Sequence, residues 1–89
     1  MPPITALGNI EIFIYWNDTK KHKRPHFHAV GPERASIFGI PELDHIVGDL
    51  KGKEMKTVLE WADANAEHLQ SLWNQRNPGF PLPQRKEGA

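Results

Sequence analysis

The stretch Ile10-Glu11-Ile12-Phe13-Ile14-Tyr15-Trp16 decides the fold class, because its side chains alternate along the chain. Positions 10, 12, 14 and 16 are apolar and share one face, and this period of two is that of a β-strand. β-branched and aromatic residues dominate the stretch, which also favours a strand. Phe13 and Tyr15 on the second face indicate a strand that is covered on both sides or lies centrally in its sheet.

Further strands are predicted on the C-terminal side. The polar residues 17–24 form a loop, and Pro25 stands at the start of a second strand over 26–30. A third strand is predicted over about 34–40 and a short fourth strand over 43–47. Residues 1–9 are interpreted as a leading segment ahead of the sheet.

A long helical segment follows the strands. Residues 53–76 contain neither glycine nor proline, and their apolar residues recur every three or four positions. One helix of this length would span about 35 Å, more than a small sheet can cover, so a break is predicted near Asp63-Ala64-Asn65. The stripe comprises Met55, Val58, Leu59, Ala62, Ala66, Leu69 and Trp73.

These elements predict an α+β protein, with an antiparallel three- or four-stranded meander followed by a C-terminal helix or helix pair. A chain of 89 residues is short enough for one domain, which we assign to residues 1–76. Asn77-Pro78-Gly79 ends the helical segment. Residues 77–89 are Pro-rich and then polar, and we expect this tail to be disordered.

Composition restricts the classes of function. Eleven basic and eleven acidic residues give a formal net charge of zero, which argues against a bulk electrostatic binder of nucleic acid. The absence of cysteine excludes disulfides and thiolate metal sites. No apolar run approaches the ~20 residues of a membrane span, and the N-terminus lacks the features of a signal peptide. We therefore expect a cytoplasmic protein with no membrane partner.

The second strand carries the most informative side chains. His26 and His28 lie one residue apart and share a face of the strand, while Phe27 takes the other face. Three interpretations remain open: half of a metal site, an acid/base pair for phosphodiester chemistry, or ordinary half-exposed strand residues.

The metal interpretation uses both imidazoles as ligands of one divalent ion such as zinc. A carboxylate or a further histidine from elsewhere in the chain would complete the shell. Asp18 and His22 are the candidates from the preceding loop, and His45 is a more distant one.

The acid/base interpretation assigns RNA cleavage to His26 and His28, because imidazole titrates near neutrality and can serve as acid or base. Positive charge at the phosphate is also required. The loop supplies it through Lys20, Lys21, Lys23 and Arg24. The layout of a strand histidine followed by a helix resembles that of HicA-like mRNA interferases.

The order of several motifs resembles the bacterial family called domain of unknown function 4160, from Met1 to about Arg76. Its most specific parts here are Pro25-His26-Phe27-His28-Ala29 and Leu59-Glu60-Trp61. The remaining matching residues are Met1-Pro2, Ile4, Ile10 to Trp16, Asp18, Gly48, Val58, Glu67, Leu69 and Trp73. The family pattern places Asp-His before Pro-Pro-His-Phe-His, whereas Thr19 follows Asp18 here and Arg24 replaces the first proline. His22 is the candidate substitute for the absent histidine.

The resemblance implies a small stand-alone bacterial protein, encoded beside a second small protein in an arrangement similar to a toxin–antitoxin pair. The expected partners are that neighbouring protein and RNA. A non-catalytic interaction module or a homodimer is a further alternative, because a small open sheet has two edges that another chain could cover.

Overall fold

The fold is a five-stranded antiparallel sheet followed by two helices. The computed structural model describes residues 2–20 and 22–79. The strands are β1 (Thr5–Leu7), β2 (Ile10–Phe13), β3 (His26–Val30), β4 (Ala35–Gly39) and β5 (His45–Gly48), and the helices are α1 (Gly52–Ala64) and α2 (Ala66–Arg76). Each strand pairs antiparallel with the next in the order β1-β2-β3-β4-β5. The predicted α+β meander with a C-terminal helix pair is thus confirmed.

The sheet has five strands, whereas three or four are predicted from the sequence. The leading segment contains β1, which is joined to β2 by a two-residue turn with Gly8 at a φ of 66°. A positive φ suits glycine, and two-residue hairpin turns require it. Three residues are too few to show a period of two, so the alternation of side chains could not reveal β1.

β2 ends at Phe13 instead of continuing to Trp16 as predicted. Beyond Phe13 the backbone turns to the C-terminal end of α2, where Arg76 Nη1 donates to the Ile14 carbonyl and Asn77 Nδ2 donates to the Tyr15 carbonyl. The alternation of side chains persists, but these two carbonyls bond to side chains at the end of a helix and not to a strand.

The core lies between one face of the sheet and the two helices. The alternating pattern of β2 is confirmed, since Ile10 and Ile12 are buried while Glu11 is exposed. The core consists of Ile10, Ile12, Ile14, Phe27, Ala29, Phe38, Ile40, Leu50, Val58, Ala62, Leu69 and Trp73. Burial of this apolar surface is the main force that holds the helices on the sheet.

The predicted interruption of the helical segment is confirmed at Asn65, which separates α1 from α2. Its side-chain Nδ2 donates to the Trp61 carbonyl at 2.8 Å, and so satisfies an acceptor at the end of α1. Among the residues that the structure describes, no helix is both long enough and apolar enough to cross a membrane. The predicted disordered tail falls mostly on residues 80–89, which lie outside the described part of the chain.

Candidate metal centre

Three potential metal ligands converge where β2 ends. Asp18 Oδ2 lies 2.9 Å from His26 Nε2 and 2.8 Å from His28 Nε2. One ligand atom from each residue lies within 4.8 Å of the others. The strand geometry brings the imidazoles together, and the loop after β2 adds the carboxylate.

His26 is almost completely enclosed, with 1% of its side chain exposed. Its ring centroid lies 5.1 Å from that of Trp73, 5.3 Å from that of His28 and 5.5 Å from that of His22. The alternative of ordinary half-exposed strand residues therefore does not describe His26. Asp18 and His28 remain accessible, with 29% and 21% of their side chains exposed.

The hydrogen-bond partners of His26 fix where its hydrogens lie. Nδ1 is 2.7 Å from the Arg24 carbonyl, which can only accept, so Nδ1 carries a hydrogen and donates. Nε2 faces the Asp18 carboxylate, which also only accepts when ionised. A neutral His26 would place two lone pairs 2.9 Å apart there. A hydrogen or a metal ion must therefore lie between Nε2 and the carboxylate oxygen.

Burial and hydrogen bonding act in opposite directions on this cluster. Burial raises the pKa of Asp18, but hydrogen bonds from His28 and His26 outweigh it and hold that pKa below its usual range. Burial lowers the pKa of His28, despite the opposing hydrogen bond to Asp18. Burial and the charge of Asp18 both raise the pKa of Tyr15. Asp18 is therefore ionised near neutrality, and the His28 ring is favoured in the neutral form that metal ions bind.

The other predicted metal ligands do not join the three. His22 packs against the His26 ring edge-on, but the convergent group among the described residues does not include it. His45 lies on β5, where its Nε2 is 3.0 Å from Ser36 Oγ.

The basic residues of the loop differ in whether they form ion pairs. Arg24 makes a bidentate ion pair with Asp44, at 2.6 and 2.9 Å, and reaches Glu42 at 3.3 Å. The Arg24 guanidinium, which the sequence predicts to bind a phosphate, thus already binds carboxylates. Lys20 and Lys23 are exposed, and no described carboxylate lies within ion-pair distance of either. Lys21 lies outside the described residues.

Two residues at the site were not predicted from the sequence. The sequence marks Asn77 only as the end of the helix, whereas its side chain accepts a hydrogen bond from the Asp18 backbone N–H at 2.6 Å. The sequence places Tyr15 on the second face of its strand without a role, and its ring meets the His28 ring edge-on, with 4.6 Å between centroids. The Asn-Pro pair signals a helix end and carries no information about a distant partner.

The structure thus defines a small α+β domain with a two-histidine, one-carboxylate cluster at one end of its sheet. The family model described as "Domain of unknown function (DUF4160)" matches residues 9–74, and the chain belongs to that family. No curated protein and no solved structure shows significant similarity to the chain. The matched range includes all three members of the cluster.

Proposed function

We propose that this protein binds a divalent metal ion, with zinc as the reference ion, through Asp18, His26 and His28. The observation that carries the proposal is the arrangement at His26. Its Nδ1–H is held by the Arg24 carbonyl, so its Nε2 is directed at the Asp18 carboxylate, and a hydrogen or a metal ion must lie between them. Metal-bound histidines are commonly oriented in this way by a hydrogen bond from the second ring nitrogen.

The donor set matches the chemistry of such an ion. Two imidazoles and one carboxylate bind zinc, and the same set holds iron(II) in other proteins. Bond lengths of about 2.0–2.1 Å place tetrahedral ligand atoms about 3.4 Å apart. The present separations from Asp18 Oδ2 are 2.8 and 2.9 Å. Side-chain rotations that widen them by about half an ångström would admit the ion in place of the shared hydrogens.

Three protein ligands leave a coordination position open. Zinc sites that bind water or substrate have this composition, whereas structural zinc sites are closed by four protein ligands. Asp18 and His28 are the two partly exposed members, so the open position would face solvent on their side. His26, being buried, would anchor the ion from the inside.

The decisive experiment is a zinc titration of the tag-free protein, in competition with a chromophoric chelator, for wild type, His28→Ala and His68→Ala. His28 is a proposed ligand whose ring is partly exposed, so its removal perturbs the core little. His68 is an exposed histidine of α2 and controls for adventitious binding by surface imidazoles. We expect one zinc per chain in wild type and in His68→Ala. The loss of affinity in His28→Ala should be at least about 100-fold, because removing a group that only orients a ligand already costs about 10- to 100-fold.

Equal affinity of His28→Ala and wild type would contradict the assignment. NMR gives an independent readout in the same samples, because the ring signals of His26 and His28 should shift together at stoichiometric zinc while those of His68 stay in place.

A second candidate function is contact with RNA or another phosphate through Lys20 and Lys23. It is favoured by the exposure of both lysines without an acidic partner, in the loop that follows Asp18. His26 is too enclosed to reach a phosphate, and it shares its carboxylate partner with His28. This geometry favours binding of RNA over its cleavage by the two histidines.

The RNA proposal is tested with a short single strand at several salt concentrations. Replacing Lys20 and Lys23 by alanine should weaken binding and reduce the salt slope by about 1.4, which is about 0.7 for each lost phosphate contact. Lys51 and Lys53, exposed at the start of α1, give the matched control pair. Equal loss in both double variants would indicate nonspecific attraction only.

The role of a toxin–antitoxin-like or regulatory component, with a neighbouring small protein as partner, also remains a proposal. It predicts growth inhibition when the protein is expressed alone and relief when the neighbour is co-expressed. Normal growth in both cultures, together with separate elution of the two purified proteins, would count against it. The elution volume of the protein alone also tests the predicted homodimer.

A further inference from the structure

The C-terminal end of α2 lies against the segment that carries Asp18. The backbone N–H of Asn17 donates to the Arg76 carbonyl at 3.0 Å, and Arg76 Nη1 donates to the Ile14 carbonyl at 2.8 Å. The Arg76 guanidinium also lies 5.3 Å from the centre of the Trp16 ring, a cation–π contact. The segment that ends at Asp18 is thus bound to a helix end instead of a neighbouring strand.

Asn77 holds the centre of this contact. Its Oδ1 accepts from the Asp18 backbone N–H at 2.6 Å, and its Nδ2 donates to the Tyr15 carbonyl at 3.1 Å. Only 1% of the residue is exposed, so water does not compete for these bonds. Loss of such a bond leaves a buried group unpaired, which costs about 1–3 kcal/mol.

The backbone between the two contacts turns at Asn17. Asn17 adopts a φ of 52°, in the left-handed region that asparagine enters more readily than most residues other than glycine. That conformation turns the chain between Tyr15 and Asp18, whose backbone groups both bond to the one Asn77 side chain. The amide of Asn77 therefore sets the distance between these two residues.

Both residues bear directly on the cluster. Asp18 supplies the carboxylate to His26 and His28, and the Tyr15 ring packs against His28. A shift of Asn77 would thus move one proposed ligand through its backbone and a second through the ring beside it. No contact is needed between Asn77 and the ion itself.

We propose that Asn77 is a positioning residue for the metal centre, which fixes Asp18 and His28 by holding the turn from Tyr15 to Asp18 against the end of α2. The proposal rests on the metal-binding function proposed above. Metal affinity and the docking of the α2 terminus are then coupled, and each stabilises the other.

The test compares Asn77→Ala with two controls, each titrated with zinc against a chelator and then saturated with cobalt(II). Gln75→Ala removes an exposed amide two residues earlier, in the last turn of the same helix. Val58→Ala shortens a buried core side chain of α1 and lowers stability without touching the turn. The cobalt absorption spectrum reports the ligand set and geometry, which a loss of stability alone does not alter.

We expect a loss of zinc affinity of about 10- to 100-fold in Asn77→Ala, as for other partners that orient metal ligands. Its cobalt spectrum should differ from that of wild type, while both controls keep wild-type affinity and spectrum. Asn77 borders a cavity of about 100 Å³ lined by Asn17, Thr19, Asn77 and Gly79, which loss of its amide would enlarge. If Asn77→Ala fails to fold, Asn77→Ser replaces it, since serine retains a polar group but reaches neither partner.

The outcomes separate the two proposals. Wild-type protein that binds no zinc overturns both of them. Wild-type binding with unchanged affinity and spectrum in Asn77→Ala overturns the positioning role alone. An equal loss of affinity in Val58→Ala would also overturn it, because the effect would then follow stability and not position.

Discussion

Two groups of side chains that contain histidine lie at the same sheet. They differ in whether every hydrogen-bond acceptor faces a donor. On β4 and β5, Ser36 Oγ accepts from the Leu50 backbone N–H at 2.9 Å and lies 3.0 Å from His45 Nε2. The serine hydroxyl can accept from one and donate to the other, so these two hydrogen bonds need no added charge. Beyond the end of β2, His26 Nε2 and Asp18 Oδ2 face each other, and the pair is complete only when a proton or a metal ion lies between them.

A serine hydrogen-bonded to a histidine also has the spacing of a nucleophile and its base. Ser36 is only 2% exposed and is held by the backbone, so no substrate can approach it. Burial and hydrogen-bond partners therefore distinguish the two clusters. Residue types alone would favour the Ser36–His45 pair as the reactive one. The Ser36–His45 pair stabilises the sheet, and the Asp18 cluster is the candidate for ligand chemistry.

The largest effect that separates the clusters is expected from Asp18→Asn. This change removes the negative charge and the anionic ligand, so zinc affinity should fall by at least about 100-fold. His45→Ala should leave zinc affinity unchanged, because His45 does not contribute to the convergent group. Chelator competition measures both, and a comparable loss in the two variants would remove the distinction between the clusters.

The next effect concerns stability and arises at Gly48, beside Ser36. Gly48 has a φ of 121°, and a side chain there would collide with the Ala35 carbonyl and with the Ser36 backbone. We expect Gly48→Ala to lower the free energy of unfolding by on the order of 3 kcal/mol in a urea titration. Gly52→Ala is the control, because Gly52 also has a positive φ but no neighbour near its Cβ position. Gly52→Ala should lower the free energy of unfolding by about 1 kcal/mol. An equal loss in Gly48→Ala and Gly52→Ala would mean that the backbone near Ser36 moves to relieve the collision.

Ser36→Ala should have a smaller effect on stability. It leaves the buried Leu50 N–H without its acceptor, at a cost of about 1–3 kcal/mol. Zinc affinity should not change in the folded variant. A zinc affinity reduced in Ser36→Ala but not in Gly48→Ala would show that the two clusters are connected in a way that their separate hydrogen bonds do not predict.

The sequence predicted local features of the site better than its assembly. Alternation on β3 placed His26 and His28 on one face, and Asp18 was a candidate ligand because it lies in the adjoining loop. The partner of Arg24 could not be predicted, because Asp44 is 20 residues away along the chain. Asn77 is 59 residues from Asp18, and only the packing of α2 brings the two together.

The prediction of strands missed β1 and the true end of β2 for the same kind of reason. β1 has three residues and follows no visible period, so its pairing with β2 depends on a turn and not on its own pattern. The end of β2 depends on hydrogen bonds from Arg76 and Asn77, far along the chain. Periodicity identifies which face a side chain takes, while the ends of elements are set by tertiary partners.

The smallest effect is expected from Arg24→Gln, which tests whether the basic loop and the metal centre act independently. The hydrogen bond from Arg24 lowers the pKa of Asp44, so the folded protein holds this proton less tightly than the unfolded chain. The resulting stabilisation is present above the ordinary aspartate pKa of about 3.9 and is lost as the pH falls through the lower folded value. Because 40% of the Arg24 side chain and 49% of the Asp44 side chain are exposed, solvent screens the pair, and the change in unfolding free energy should stay below about 1 kcal/mol.

NMR titration of the Asp44 carboxyl carbon measures this effect directly, and its pKa should return toward the ordinary value in Arg24→Gln. Zinc affinity should be unchanged, because Arg24 contacts His26 through its backbone carbonyl and the substitution keeps that group. If zinc affinity falls in Arg24→Gln, the ion pair between the Arg24 side chain and Asp44 fixes the position of the Arg24 carbonyl. The basic loop would then act as an outer part of the metal centre, and its charge would serve to orient His26 instead of attracting an anion.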